Sequence, residues 1–168
     1  PQRAIEILDQ HAEELACVLV DLMPHRVGLM PASEEFMLAL RQWTHKNGAL
    51  LVCDEVITYR STYKGAQDWY AIKPDLTALG KMIGGGFPVG AIAGRSDVMN
   101  VMDPLADKLL FPHSGTYSAN PITMVAGLTS MKIFDQTAVT QLNKLAGRAV
   151  NQIKEAIKIS GIEACDGG

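Results

Sequence analysis

Lys81 stands between a short apolar run, Leu76-Thr77-Ala78-Leu79-Gly80, and the triple Gly84-Gly85-Gly86, and it is the only charged residue between Asp75 and Arg95. A lysine set in apolar surroundings is desolvated, which disfavours its charged form and leaves an amine able to attack a carbonyl carbon. That is how a Schiff-base lysine is made. The plainer use of such a residue is structural: the methylene stem lies along apolar surface while the ammonium stays in water. A possible partner lies upstream, where Ala49-Leu50-Leu51-Val52-Cys53 runs into the acid pair Asp54-Glu55, followed by Val56. In open α/β sheets ligands gather beyond the carboxyl ends of the strands, so Asp54 is placed to face one. An acid that holds a pyridinium nitrogen and a lysine that holds an aldehyde are the two protein groups a pyridoxal phosphate (PLP) site requires.

The elements that must position these two groups follow from the hydrophobic pattern. Ile5, Leu8, Ala12 and Leu15 recur at helical spacing and predict a helix over roughly residues 1–15. Residues 16–20 read as a buried strand ending at Asp21, and two prolines with Gly28 make 23–31 a loop. Ser33 is expected to cap a helix with Glu34 and Glu35 in its first turn, an inner face of Phe36, Leu40 and Trp43, and a stop at Asn47-Gly48. A strand over 50–53 follows, so helix and strand alternate as they do in a parallel sheet covered by helices. Residues 58–69 read as loop. Short strands are predicted at 76–79 and 89–93 around the glycine turn, with Ser96 capping a short helix that carries Val98, Val101 and Met102. Asn120-Pro121 is a strong helix start. The segment 122–134 is apolar nearly all round and is expected to be deeply buried. A last helix over 139–159 has Leu142, Leu145, Ala149, Ile153 and Ile157 on one stripe, and 161–168 is too short to form a domain.

Composition narrows the function classes. At 168 residues, 48% hydrophobic and 20% charged, the chain is of ordinary globular make-up and long enough for one domain. A net charge of −3 without a basic stripe disfavours nucleic acid or an anionic membrane as partner. The stretch from Leu109 to Met131 lacks acidic and basic residues but contains His113, Ser114, Asn120, Pro112 and Pro121, which rules it out as a membrane span. Cys17, Cys53 and Cys165 are odd in number and unpaired in spacing; the first two sit in apolar runs where cysteine acts as a small hydrophobe, and a reducing, cytoplasmic setting fits best. His11, His25 and His45 lack the spacing of metal ligands, so no metal site is expected. The sequence opens on Pro1 with no signal-peptide pattern and is expected to be an internal piece of a longer protein.

Four linked motifs carry a more specific signal: Cys53-Asp54-Glu55-Val56; Gly65-Ala66-Gln67; Pro74-Asp75-Leu76-Thr77-Ala78-Leu79-Gly80-Lys81-Met82-Ile83 with its three glycines; and His113-Ser114-Gly115-Thr116-Tyr117-Ser118-Ala119-Asn120-Pro121. In this order and spacing they resemble the class III PLP-dependent aminotransferases, in particular the branch of glutamate-1-semialdehyde 2,1-aminomutase and related amino-acid aminotransferases. The resemblance implies an α/β fold with a mostly parallel sheet and flanking helices, residues 1–168 being a central part of a fold-type I large domain without its N-terminal part and small C-terminal domain. It implies that Lys81 binds PLP as a Schiff base and moves the substrate proton, that Asp54 bonds the pyridinium nitrogen, and that Val56, on the same side of an extended chain, packs on the ring face. Thr116, with the amide of Gly115 or Thr116, would bind the cofactor phosphate of a neighbouring subunit, so a homodimer with shared sites is implied.

The activity implied is transamination between an amino acid or related amine and a keto acid. Intramolecular amino transfer, as in the aminomutase, is the alternative. Thr58-Tyr59-Arg60-Ser61 and Thr116-Tyr117-Ser118-Ala119 depart from the aminomutase pattern and favour a related aminotransferase; Asp21-Leu22, where many relatives have Glu-Pro, touches no site role. Arg26 and Arg60 are candidate substrate carboxylate clamps, and His113 is a candidate catalytic or structural hydrogen bonder. The phosphate-cradling loop and ring-stacking aromatic of the family lie outside this sequence, so a non-catalytic fragment or dimerising scaffold is a second reading. A nucleotide-binding module is a third: Asp54-Glu55 also resembles a metal-binding acid pair, although Gly80-Lys81 is followed by Met82 where a phosphate loop needs serine or threonine. The glycine triple serves either as a tight turn or as an anion-binding nest.

Overall fold

The computed structural model describes residues 1–162. A four-stranded sheet in the order β1 (Cys17–Asp21), β2 (Leu50–Asp54), β3 (Leu76–Gly80), β4 (Gly90–Gly94) organises it. The first three strands are parallel, with Cys17 opposite Leu50 and Asp54 opposite Ala78, and β4 returns antiparallel to β3 with Gly80 opposite Gly90. The helices are α1 (Gln2–Gln10), α2 (Glu34–Asn47), α3 (Ser96–Met99), α4 (Pro121–Ile133) and α5 (Gln136–Ser160). This is the α/β architecture with a mostly parallel sheet that the alternation of segments implies.

The core lies between α2 and one face of β1 and β2. Met37 and Leu40 from α2 meet Leu51 and Cys53, alternate residues of β2, together with Leu22 and Tyr70. The period of two along β2 and of three to four along α2 put these side chains on facing surfaces. Caps set the limits of α2: the Ser33 hydroxyl accepts from the Phe36 amide at 3.2 Å, and Gly48 closes the helix at φ +70°. Trp43 donates its indole N–H to Asp9 at 2.7 Å, which fastens α1 to α2, and the Tyr70 hydroxyl donates to the Ala32 carbonyl at 2.9 Å. At the amino end of β3 the 3%-exposed Asp75 accepts from the Leu51 amide at 2.7 Å, from Arg41 at 2.9 Å and from Arg95 at 2.7 Å. One carboxylate thereby joins β2, α2 and the end of β4.

Several expectations need correction. The first helix ends at Gln10, and residues 11–14 form a turn. β1 is an edge strand: Cys17 is exposed and Leu19 is 64% exposed, so the strand is not buried and Cys17 is no interior hydrophobe, unlike Cys53. Ser96 is the first residue of α3 rather than its cap, which is Arg95. Residues 58–69 contain two short 3-10 turns, Thr58–Ser61 and Ala66–Tyr70. The largest discrepancy is α4. Asn120 does cap it, accepting from the amides of Ile122 and Thr123, but only Thr123 and Gly127 are buried, while Val125 and Leu128 are 66% and 58% exposed. Its all-round apolar character reports surface that the described residues do not cover. The last helix begins at Gln136 under an Asp135 cap, and of its apolar stripe Leu145 and Ile153 are exposed. Cys165 lies outside the described residues.

Candidate functional site

β2 and β3 are neighbouring parallel strands that end at Asp54 and Gly80, and Lys81 follows directly. The carboxylate and the amine singled out from the sequence therefore emerge at the same end of the sheet, on adjacent strands. The ladder continues one step past β2, with the Glu55 amide donating to the Ala78 carbonyl at 2.9 Å. Val56 sits against the end of β3: its methyl carbons lie 3.3 and 3.6 Å from where a Cβ on Gly80 would stand, and the Val89 carbonyl is 3.4 Å away. Glycine at position 80 lets Val56 approach the strand that delivers Lys81.

The route by which Val56 arrives differs from the expectation. Extended structure stops at Asp54, and the Asp54 Oδ1 accepts the Val56 amide at 3.0 Å, closing a turn of the kind aspartate favours. Asp54 and Val56 are thus linked by a hydrogen bond rather than by strand alternation. Asp21, opposite Asp54 at the end of β1, makes the same bond to the Met23 amide at 3.0 Å. Among the described residues no protein donor reaches the Asp54 Oδ2.

Lys81 opens a short 3-10 turn, Lys81–Gly84, with φ +50°, a left-handed conformation that a lysine adopts only at a cost. The turn is completed by Gly85 N–H to the Met82 carbonyl and Phe87 N–H to the Gly84 carbonyl, both 3.1 Å. It rests on α4, where a side chain at Gly85 would meet the Ala126 backbone. The glycine triple serves here as a tight turn pressed against a helix. The desolvation expected around Lys81 is not found: the residue is exposed, because its apolar neighbours in sequence turn toward α4 and β4 while it remains at the strand end. Its backbone is strained instead, a conformation it shares among non-glycine residues with Leu29, Ala71 and Ala119.

Gly115 and Thr116 lie in the exposed segment between α3 and α4. Gly115 lines a cleft of about 510 Å³ with Pro88, Val89, Gly90, His113 and Ser118, which brings it beside the residue paired with Gly80. No hydrogen bond joins Thr116 to Lys81, Asp54 or Val56 among the described residues. The His113 ring Nε2 is 3.4 Å from the Ser118 hydroxyl, a local loop contact. Arg60 is exposed beyond Val56, and Arg26 belongs to a short turn after β1. The described residues contain no cluster of three or more His, Cys, Asp or Glu able to hold a metal, and no helix long and apolar enough to cross a membrane.

Sequence reasoning took Glu55 only as the second member of an acid pair; in the structure it stands between Asp54 and Val56 and is 0% exposed. The signal for it was present in the spacing to Gly65-Ala66-Gln67, whose amides it binds. Burial pushes the neighbouring Cys53 thiol up to about 12, with the Glu55 charge adding to the effect, so Cys53 is an unreactive core thiol.

Comparison with known proteins agrees with this geometry. The family model for class-III aminotransferases matches residues 2–160. The glutamate-1-semialdehyde 2,1-aminomutase of Protochlamydia amoebophila is 41% identical over 157 residues, covering 92% of this chain and 36% of that protein. Among solved structures, an omega-transaminase from Sphaerobacter thermophilus superposes with a TM-score of 0.92 at 43% identity, covering 95% of this chain and 36% of that one. A transaminase with PLP bound gives 0.93 at 40% identity, covering 97% and 38%. The chain thus spans little more than a third of the length of the proteins it matches. Within that span, the sheet order, the strand-end acid and lysine and the glycine turn on α4 coincide with a family match over nearly every residue, and the chain belongs to the class-III aminotransferases.

Proposed function

We propose that residues 1–168 are the central part of the large domain of a fold-type I, PLP-dependent transaminase acting on an amino acid or related amine, with Lys81 as its catalytic residue. The observation that carries this reading is the emergence of Asp54 and Lys81 from adjacent parallel strands, with Val56 packed against Gly80 between them. The donor set suits PLP: one carboxylate oxygen without a protein donor for a protonated ring nitrogen, an apolar side chain for a ring face, and an exposed amine for an aldehyde carbon. Bound PLP supplies an electron sink for a substrate carbon.

The roles of the chain's own residues follow from their chemistry. Asp54 would accept the hydrogen bond of the ring nitrogen and keep that nitrogen protonated, since a carboxylate favours a nearby positive charge. Val56 would pack against one face of the ring. The Nζ of Lys81 would hold the cofactor by its aldehyde carbon, with loss of water, and when an amino donor takes that place would be the free amine that accepts the proton of the substrate Cα and gives it back. Thr116, with the amide of Gly115 or Thr116, binds the phosphate of the cofactor held by a second copy. The exposed apolar face of α4 and the exposed loop before it support a homodimer with shared sites. The free thiols of Cys17 and Cys53 fit a reducing, cytoplasmic setting.

Intramolecular amino transfer is the second reading, favoured by the identity to aminomutases. The same residues serve both reactions. The test begins with the purified protein and PLP: a visible absorption band is expected, and borohydride should fix the cofactor on the peptide containing Lys81, located by mass spectrometry. Lys81→Ala is expected to lose both. Equal labelling of the Lys81→Ala protein overturns the assignment, and the absence of any band in the unsubstituted protein leaves the non-catalytic scaffold as the reading.

A further inference from the structure

Glu55 is a carboxylate removed from water one residue beyond the strand-end acid. Its Oε2 accepts from the Ala66 amide at 2.6 Å and from the Thr58 hydroxyl at 3.3 Å, and its Oε1 accepts from the Gln67 amide at 3.0 Å. The chain closes on it so tightly that a Cβ on Gly65, itself at φ +87°, would stand 2.7 Å from Oε1. Burying a carboxylate is unfavourable, and an apolar residue of similar volume fills such a space at lower cost. Three convergent donors and an enforced glycine indicate a fixed location for this charge rather than a means of raising stability.

The main chain of Glu55 shows what that location controls. Its amide donates to the Ala78 carbonyl, three residues before Lys81, and its carbonyl accepts from the Tyr59 amide at 3.1 Å. On either side stand Asp54 and Val56, joined by the Val56 N–H to Asp54 Oδ1 bond. The peptide units that hold the two residues in their turn therefore belong to Glu55, and its side chain ties them to the segment starting at Gly65.

We propose that Glu55 is a positioning residue: its buried carboxylate, held by the Ala66 and Gln67 amides and the Thr58 hydroxyl, fixes the turn that presents Asp54 and Val56 to the cofactor ring. The proposal rests on the reading of those two residues as the ring contacts. A purely structural carboxylate would secure the 65–70 segment and leave the Asp54–Val56 turn indifferent to its loss.

Glu55→Gln separates the two, because the amide keeps the shape while one of its ends can no longer accept. Amide hydrogen exchange, read by NMR on the protein without PLP, is expected to quicken about tenfold at Val56 as well as at Ala66 and Gln67, and PLP is expected to bind about tenfold more weakly with a shifted visible band. Faster exchange at Ala66 and Gln67 with Val56 and the PLP band unchanged overturns the proposal. Thr58→Val, which removes one donor and keeps the outline of the side chain, carries the same comparison with a smaller effect if the glutamine protein does not fold. Should the unsubstituted protein show no Lys81-dependent PLP band, the transaminase reading fails, and the Val56 exchange rate still decides whether Glu55 holds the turn.

Discussion

Replacing Lys81 by glycine should make the protein more stable while removing the amine on which the proposed chemistry depends. Lys81 sits at φ +50°, and an L-residue in the left-handed region gives up about 1–2 kcal/mol that glycine does not. Glycine in turn loses about 0.5–1 kcal/mol through the greater freedom of its unfolded chain. The exposed Lys81 side chain makes no hydrogen bond or ion pair among the described residues that would offset the difference. The net expectation is a gain of about 0.5–1 kcal/mol. Followed by the fluorescence of Trp43 and Trp69 in urea, and with a slope of about 2 kcal/mol per molar, the midpoint should rise by about 0.3–0.5 M. Lys81→Ala is the control, because alanine keeps the Cβ that makes this conformation unfavourable; its midpoint should stay within about 0.2 M of the unsubstituted protein. A Lys81→Gly midpoint at or below that of Lys81→Ala refutes the reasoning, since the backbone at 81 would then hold no strain for the glycine to release.

Two further outcomes are expected. Burial alone would raise the Asp75 carboxyl, but the Leu51 amide and the Arg95 and Arg41 guanidiniums outweigh it and hold the group below the ordinary value of 3.8. A carboxyl lowered on folding contributes stability that is fully present above its unfolded value and is lost as pH falls through the folded one. Asp75→Asn should therefore cost about 2–3 kcal/mol near neutral pH, less than a wholly buried pair because Arg95 is half-exposed, and the gap should narrow below about pH 4 in urea titrations; a gap that widens there contradicts the assignment. Leu128→Lys, on the exposed apolar face of α4, should leave the fold intact and convert a homodimer to a monomer by analytical ultracentrifugation; an unchanged dimer moves the interface elsewhere.

The parts of the fold legible in the sequence are those whose signals are local. Ser33, Asn47-Gly48 and Asn120-Pro121 mark helix ends through hydrogen bonds made within a few residues, and all three mark ends in the structure. The parallel pairing of β1 with β2 follows from helix and strand alternation, whereas β3 joins parallel to β2 through a connection that holds only two short 3-10 turns. Burial was misread wherever it depends on what lies opposite. The exposed apolar residues of α4 and Leu19 of β1 state only that some surface covers them, and the described residues present none, whereas Val18 and Val20 on the other face of β1 do pack against the core. Lys81 was singled out for the wrong physical reason: its apolar sequence neighbours suggested desolvation, whereas the structure leaves it exposed and strained.

Strain and the Glu55 contacts bear on the same point, because both concern positions where this chain accepts an unfavourable local state at the carboxyl end of the sheet. A lysine at positive φ and a fully buried carboxylate each oppose folding, and each lies within one residue of a group assigned to the cofactor. Leu29, Ala71 and Ala119 also stand at positive φ, so strain alone does not mark position 81; its place at the strand end beside Glu55 does. Glycine takes the left-handed positions at 48, 85 and 161, and the other buried acid, Asp75, is matched by two guanidiniums that join separate elements. Had Lys81 and Glu55 been retained for stability, a glycine at the first and an apolar residue at the second would have served better. At adjacent strand ends, the two positions make a joint prediction for the proposed site. Lys81→Gly should raise the unfolding midpoint without altering amide exchange at Val56, whereas Glu55→Gln should speed that exchange whatever it does to the midpoint. If both substitutions move both quantities together, the two positions report one common packing defect and not two independent constraints on the ring.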